Sequence, residues 1–600
     1  MRRLAKHLLI VALLSAFAAI VHRGLQARPQ AIPRPDQSWI AKSNSYTHQL
    51  LDVVNKHSPE NASEQGLAEY DEKISQPTKL DEDEEVAETK AVQMRLARAL
   101  STEQDKNVQQ DLRILLNRIQ ITLKIDDYAD EHEVPYLNAS EAVFQGLRVL
   151  LDDQVTPSRR EAALVRLRRY AGLEPGYRPF TDILRKRDEG QMAKPGVIYP
   201  AKLEIETEMS RNQNYLEGIP AIFKQYGLTG WEEPFEKLKT ELTEYDAWVT
   251  AQILPKARSD FRLPPEEYAL DLEDYGIDIP IARLAQTARQ EFRVYQAEMQ
   301  QLATRIARDR GWPDSDYRAV IRRLKQDQLK GDAILSFYKK RLADIEAIIV
   351  KRDLVTLPAR PARIRIATPA ESAQEPAPHM KAPPLLNNTG EQGEFVLPLN
   401  MPPAAGEKKP EKIDDFTYDA ASWTIIAHEA RPGHELQFDS MVEHGVSQAR
   451  ALFAFNSTNV EGWGLYAEYI TKPYMPLDGQ LISLQFRLLR AARAFLDPEL
   501  QWGKIKPEDA MRVLTQDVCL SDAFAKQEVE RYTYRAPGQA NSYFYGYTRL
   551  LELRDETQAS LGKSFDQKKF HDFILSQGLL PPGLMRQAVK EDFIPSQKGD

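Results

Sequence analysis

Ser422-Trp423-Thr424-Ile425-Ile426-Ala427-His428-Glu429-Ala430-Arg431-Pro432-Gly433-His434-Glu435-Leu436-Gln437 is the stretch on which the reading of this chain turns. Its first half is apolar around Ile425 and Ile426 and predicts a buried helix. Its second half interrupts that helix. Pro432 has no N–H, and in a continuing helix its ring would meet the carbonyl of His428, four residues back. Gly433 beside it accepts dihedrals that other residues avoid. Two of the ten histidines of the chain stand here, six residues apart. On an unbroken helix six residues turn by about 600°, leaving the rings about 120° apart and about 9 Å along the axis. The break either folds His434 back beside His428 or leaves the two as separate, structural buried groups.

A His-Glu pair at the end of an apolar helix resembles the zinc metallopeptidase arrangement, in which two histidines hold the ion and the glutamate takes a proton from water. The ordinary spacing there is His-Glu-x-x-His, which this chain lacks. Downstream, Phe455-Asn456-Ser457-Thr458-Asn459-Val460-Glu461-Gly462-Trp463-Gly464-Leu465-Tyr466-Ala467-Glu468 offers two carboxylates seven residues apart, on one helix face. Glu461 reads either as a third ligand or, with Thr458, as a capping box. Glu468 reads as a group orienting a ligating histidine, as an alternate ligand, or as an ordinary exposed carboxylate. Five tyrosines fall between 532 and 547. One of their hydroxyls could donate to an oxyanion, and an aromatic run of this kind also serves as plain core.

Working outward, 79 Lys plus Arg against 88 Asp plus Glu give the 600-residue chain a net charge of −9. That argues against sequence-blind nucleic-acid binding, which needs a basic surface. The lone Cys519 excludes an intrachain disulfide, a Cys-rich zinc site and a CxxC pair, leaving histidine and carboxylate chemistry. Residues 1–27 read as a secretory signal peptide: Arg2, Arg3 and Lys6 precede an apolar run over 8–21, too short for a membrane span. No Cys follows the run, so a lipoprotein anchor is not expected, and the expected location is the bacterial periplasm or medium, with no stable membrane insertion once the signal is removed.

Residues 28–85 read as a polar tether with one short helix near 46–56. From 86 to 351 the pattern is helical, with apolar steps of three and four at Leu112, Leu115, Leu116, Ile119 and Leu123 and similar runs over 162–170, 203–226, 235–253, 281–308 and 332–351. Between 351 and 410 lie 11 of the 38 prolines; 363–366 and 394–397 are the strand candidates, and 369–393 reads as a mobile loop. From 414 the helical pattern resumes. The expected fold is mostly α, a large multi-helix body with a small β-sheet near 357–400 beside the His428 helix. Residues 352–600 form the helical metal-site region, and 86–600 is expected as one continuous body.

Together and in this order, three motifs are similar to the bacterial family numbered 885 among the domains of unknown function. They are His428-Glu429-Ala430-x-Pro432-Gly433-His434 with Leu436-Gln437, Glu461-Gly462-Trp463 with Tyr466-Ala467-Glu468, and Pro537-Gly538-Gln539-Ala540 with Tyr543 and Gly546. The likeness spans roughly residues 45–595. Glu461-x-Trp463 more distantly resembles the third-ligand region of thimet-type oligopeptidases. The resemblance implies a helical body with a zinc-peptidase site. His428, His434 and Glu461 would hold one zinc or another divalent ion, and Glu429 would act as general base. Tyr543 would be the oxyanion donor, Gln539 would bind substrate, and Glu468 would support or replace a ligand. The substrate would be a peptide or small amide. The rival expectations are a non-catalytic periplasmic binding or scaffold protein, and a metal-dependent hydrolase of a non-peptide amide or ester. A strand at 363–366 or 394–397 is expected, by analogy, to pair with an extended peptide.

Overall fold

The computed structural model describes residues 38–598 apart from 332, 376 and 402–410; the expected signal peptide lies outside the described residues. The architecture is mostly α, with one small three-stranded sheet and a two-stranded ribbon. Helices form where the apolar stripe predicts them. Helix Ile281–Arg310 buries Leu284, Ala288, Phe292, Tyr295, Met299, Ala303 and Ile306, and stops at Gly311, whose φ of 65° supplies the left-handed cap. It packs along helix Leu477–Gln501 at the centre of the larger core. A second core around Phe144, Tyr215, Phe223, Leu238 and Leu242 gathers the helices between 139 and 253.

The tether expected over 28–85 is not a tether from residue 38 onward. Helix Ser38–His57 and the first turns of helix Lys79–Thr102 occupy it, and they pack with helix Lys106–His132 around Leu50, Val92, Leu96 and Leu112. Buried Asp111 accepts from Ser43 Oγ at 2.6 Å and from Arg450 Nε at 2.8 Å, tying this layer to the rest.

The strands lie at β1 (Arg363–Ile366), β2 (His379–Lys381) and β3 (Glu394–Leu397), in the order β1-β3-β2. Strand β3 runs parallel to β1 and antiparallel to β2, with Ile364 and Met380 both beside Phe395. Because β3 is paired on both sides, the expectation that 394–397 could take up a peptide strand fails; β2 is the edge that lines the large cavity. Nor is 369–393 simply a loop. Thr368 and Glu371 form a capping box on the short helix Pro369–Gln374, and β2 follows it.

Candidate metal and catalytic site

Helix Asp419–Glu429 is buried almost all round and ends where the sequence breaks it: Ala430 has φ −102° and ψ −103°, and the next helix, His434–His444, begins after Gly433. A Cβ on Gly433 would lie 1.8 Å from the carbonyl oxygen of His428, so glycine is what lets the chain fold back on the helix end. Trp463 Nε1 donates to the carbonyls of Pro432 and Gly433 at 2.9 and 3.2 Å, clamping the turn to the neighbouring helix. Buried Arg431 holds it from the other side through both oxygens of Glu435, at 2.6 and 3.0 Å, and through Glu346. The result is that the two imidazoles meet. Their Nε2 atoms are 3.2 Å apart and their rings stand at 82°.

Glu461 completes the group from helix Ser457–Thr471. The capping box expected between Thr458 and Glu461 is not formed. Asn456 caps this helix by accepting from Asn459 N, and the Thr458 hydroxyl donates to Tyr275 O, which frees the Glu461 carboxylate to face the histidines. Its Oε2 lies 3.4 Å from His428 Nε2 and 3.5 Å from His434 Nε2. Three glycines make this approach possible. A Cβ on Gly464 would sit 2.6 and 2.8 Å from the Cε1 atoms of the two rings. Gly462 and Gly546 cross so closely that a Cβ on either would strike the opposite backbone, which brings helix Asn541–Leu561, and Tyr543 on it, beside Glu461.

The three facing atoms form a triangle with edges of 3.2, 3.4 and 3.5 Å. Ligands about 2.0–2.1 Å from a tetrahedral ion are separated by about 3.3 Å. Two histidine nitrogens and a carboxylate are an ordinary donor set for zinc, and Glu461 Oε2 is buried with no hydrogen-bond partner among the described residues. The residues therefore fit a divalent ion.

The surroundings favour positive charge at this point. Burial alone would push the His428 imidazolium down, but Glu429, Glu461 and Glu468 together raise its pKa to about 9. Burial likewise opposes ionisation of Glu461, yet the two histidines hold it well below the usual carboxylate range. Glu468 lies on the far side of the His428 ring, outside the triangle. It accepts from Nδ1 at 2.8 Å and from Thr424 Oγ1 at 2.6 Å. A proton on Nδ1 leaves the Nε2 lone pair facing Glu461. Burial opposes its charge, but Arg490, His428 and Thr424 keep Glu468 ionised.

Glu429 lines a cavity of about 490 Å³, with Oε1 3.9 Å from His428 Nε2, and burial raises its pKa. Tyr543 lines the same cavity; its ring lies parallel to His428 at 6.5 Å and carries the Arg493 guanidinium 4.3 Å over its face. Gln539, expected to bind substrate, lines the cavity too, and both ends of its amide are hydrogen-bonded. It accepts from Arg531 Nη1 at 2.9 Å and donates to Ser457 Oγ at 3.0 Å.

Sequence reasoning missed the charged layer under Tyr543. Arg490, Arg493 and Arg531 sit there with Glu528, which Arg493 grips through both oxygens at 2.7 and 2.6 Å. Burial opposes its ionisation, but Arg493 and Arg531 hold Glu528 down at about 2. The signal available was Arg487, Arg490 and Arg493 at three-residue steps within the otherwise apolar run from Phe486 to Leu496.

The family described as "Bacterial protein of unknown function (DUF885)" matches residues 59–589. Two solved structures share the fold. One, from Shewanella oneidensis, is described as a "putative lipoprotein of unknown function"; it is 21% identical, with a TM-score of 0.68 over 92% of this chain and 100% of the other. The second, from Colwellia psychrerythraea, is described as a "putative lipoprotein"; it is 17% identical, with a TM-score of 0.73 over 92% and 99% of the two chains. No curated protein matches the chain.

Proposed function

The chain belongs to this bacterial family of unknown function, DUF885, and we propose that it is an exported, metal-dependent hydrolase of peptide bonds. The observation that carries the reading is the 3.2, 3.4 and 3.5 Å triangle of His428, His434 and Glu461 opening on a cavity that Glu429 also lines. His428 and His434 would hold one zinc or similar divalent ion through Nε2, and Glu461 through Oε2. Bound there, the ion would make a water more acidic and polarise a carbonyl. Glu429 takes the proton from the attacking water and returns it to the leaving amine; its raised pKa suits a group that must hold that proton between the two steps. Tyr543, pressed against Arg493 and facing the cavity, donates its hydroxyl to the oxygen on which charge develops. Glu468 keeps His428 in one tautomer.

Export is supported by the leader-like first 27 residues and by the description of both solved neighbours as lipoproteins. No helix among the described residues is long and apolar enough to cross a membrane. A purely binding role gives no reason for Glu429, Glu461 and Glu468 to converge on two buried histidines, because burying charged groups is costly even where they are paired.

The test is digestion of a defined peptide mixture by the zinc-loaded chain, read by mass spectrometry beside Glu429→Gln. Hydrolysis by the wild type, reduced on the order of 10²–10⁴-fold in the variant, is expected for loss of a general base. Hydrolysis untouched by the substitution, or none by the loaded wild type, would remove the reading.

A further inference from the structure

Of the three arginines beside Tyr543, two are buried in the framework, although Arg490 Nε and Arg493 Nη1 also have no hydrogen-bond partner among the described residues. Arg493 is 5% exposed in its side chain and bound to Glu528; Arg490 is 8% exposed, 3.7 Å from Glu468, and donates to Phe486 O. Arg531 differs. It stands at the start of a π-helical turn, Arg531–Arg535, its side chain is 22% exposed, and it lines the cavity. Its Nη1 donates to Gln539 and reaches Tyr543 Oη at 3.4 Å. Its Nε approaches Glu528 only to 3.9 Å, and that carboxylate is already taken by Arg493 and the Tyr532 hydroxyl. Among the described residues Arg531 Nη2 makes no hydrogen bond.

This guanidinium is also held in place. Gln539, buried, ties it to Ser457, which bonds Ser542, so Arg531 is fixed from the same helix that carries Glu461. Arg490, Arg493 and Arg531 stand beside Tyr543 with Glu528, Glu375 also lines the cavity and acts on Arg531, and a divalent ion at the triangle would add two positive charges on the Glu461 side. A planar guanidinium with a free edge matches a carboxylate.

We infer that Arg531 binds the free C-terminal carboxylate of the peptide, one residue beyond the scissile bond, so that the enzyme removes single residues from the C-terminal end. The inference rests on the peptidase reading above. The distances favour one residue. Tyr543 Oη, assigned to the scissile carbonyl, lies 3.4 Å from Arg531 Nη1, close to the ~3.3–3.6 Å that one extended residue spans; two extended residues would span about twice that. In the reaction the last C–N bond breaks, water supplies the new C–O bond, and Glu429 passes the proton to the departing amino acid. Gln539 is then a positioning residue, holding Arg531 rather than touching substrate.

The test uses the full zinc-loaded chain and an N-acetylated tetrapeptide mixture randomised at its last two positions, as free acids and as C-terminal amides. Free acids should lose their last residue, with amides slower by about 10–100-fold, the loss of a charge-assisted hydrogen-bonded pair. Arg531→Gln should bring the acids down to the rate of the amides with zinc content unchanged, and Gln539→Glu, which pairs Arg531 in place, should do the same. Arg531→Lys serves where the Gln variant does not fold, because it removes the planar fork. Amides cleaved as fast as acids, or an acid preference that survives Arg531→Gln, would overturn the inference while leaving the peptidase standing. Calorimetry on Glu429→Gln with the same mixtures separates the two failures. Acid-over-amide binding that disappears on adding Arg531→Gln supports the role of Arg531 even without turnover; equal or absent binding overturns it.

Discussion

Helix Glu232–Gln252 and helix Leu477–Gln501 bury themselves in opposite ways. The first hides one stripe, Phe235, Leu238, Leu242, Tyr245 and Val249, and turns charged residues to solvent. The second is covered on nearly every face, and its covered residues include Arg487, Arg490, Arg493 and Asp497. On helix Glu232–Gln252 burial stabilises through apolar area, about 25 cal/mol per Å². Around the triangle, burial is applied to charges, which water would otherwise solvate, and such groups are retained at a cost to stability. The difference teaches that the first region holds the fold and the second holds chemistry that the fold must support.

Exchanging one residue in each region should separate the two roles most strongly. Glu429→Gln should remove turnover on the order of 10²–10⁴-fold while leaving the melting temperature unchanged or higher, because it replaces a carboxyl whose ionisation burial opposes. Leu242→Ala, at a fully buried position, should cost about 2–5 kcal/mol of stability and leave the turnover of the folded fraction intact. Thermal melts and peptide hydrolysis on the same preparations check both. A large stability loss in Glu429→Gln would erase the contrast.

A single kind of substitution should then have opposite consequences. Gly464→Ala drives a methyl into both imidazoles and should weaken zinc binding on the order of 10–100-fold, the range for disturbing the support of metal ligands. Gly190→Ala, in helix Phe180–Met192 with no atom within 4 Å of the new methyl, should stabilise by about 0.5–1 kcal/mol. Zinc titration and chemical denaturation read the two effects.

A further expected effect is on acid sensitivity, and it belongs to the helices around the site. His571 accepts from the Tyr466 hydroxyl at Nε2 and faces Leu354 O with Nδ1, so it is built to be neutral, and burial pushes its pKa down to about 4. The unfolded chain binds this proton near pH 6.5 and the folded chain only near 4. Its contribution is present above pH 6.5 and is lost as pH falls toward 4. Stability against pH should therefore be shallower over that window in His571→Asn, by up to one proton. Parallel curves would show that His571 is not the linked group.

The same contrast governs what was legible in the sequence. Striped helices announced themselves: 162–170, 235–253 and 281–308 lie within a few residues of the observed elements, and the alternation at 363–366 gave its strand. The first turns of helix Lys79–Thr102, ahead of residue 86, did not, because the helix buries only Thr89, Val92 and Leu96, too few to leave a period among so many charges. Helix Pro369–Gln374 was marked by Thr368-Pro369 and Glu371, a signal masked by the surrounding prolines. At the site, the break at Pro432-Gly433 was readable, but its direction was not. Spacing alone could not say whether His434 would return to His428; that depended on Trp463, Gly464 and Arg431, contacts made by other elements. The arginines under Tyr543 escaped because a charged residue inside a helix bundle runs against the apolar pattern used to find the core.

The central claim is that His428, His434 and Glu461 together hold one ion, and zinc titration of the dialysed chain beside Glu461→Gln and Glu468→Gln tests it most directly. The account predicts one zinc per wild-type chain, clear loss of affinity in Glu461→Gln, and a smaller loss in Glu468→Gln, which acts through His428. A wild type that binds no zinc, or a Glu461→Gln variant that keeps full affinity while Glu468→Gln loses it, would contradict the account.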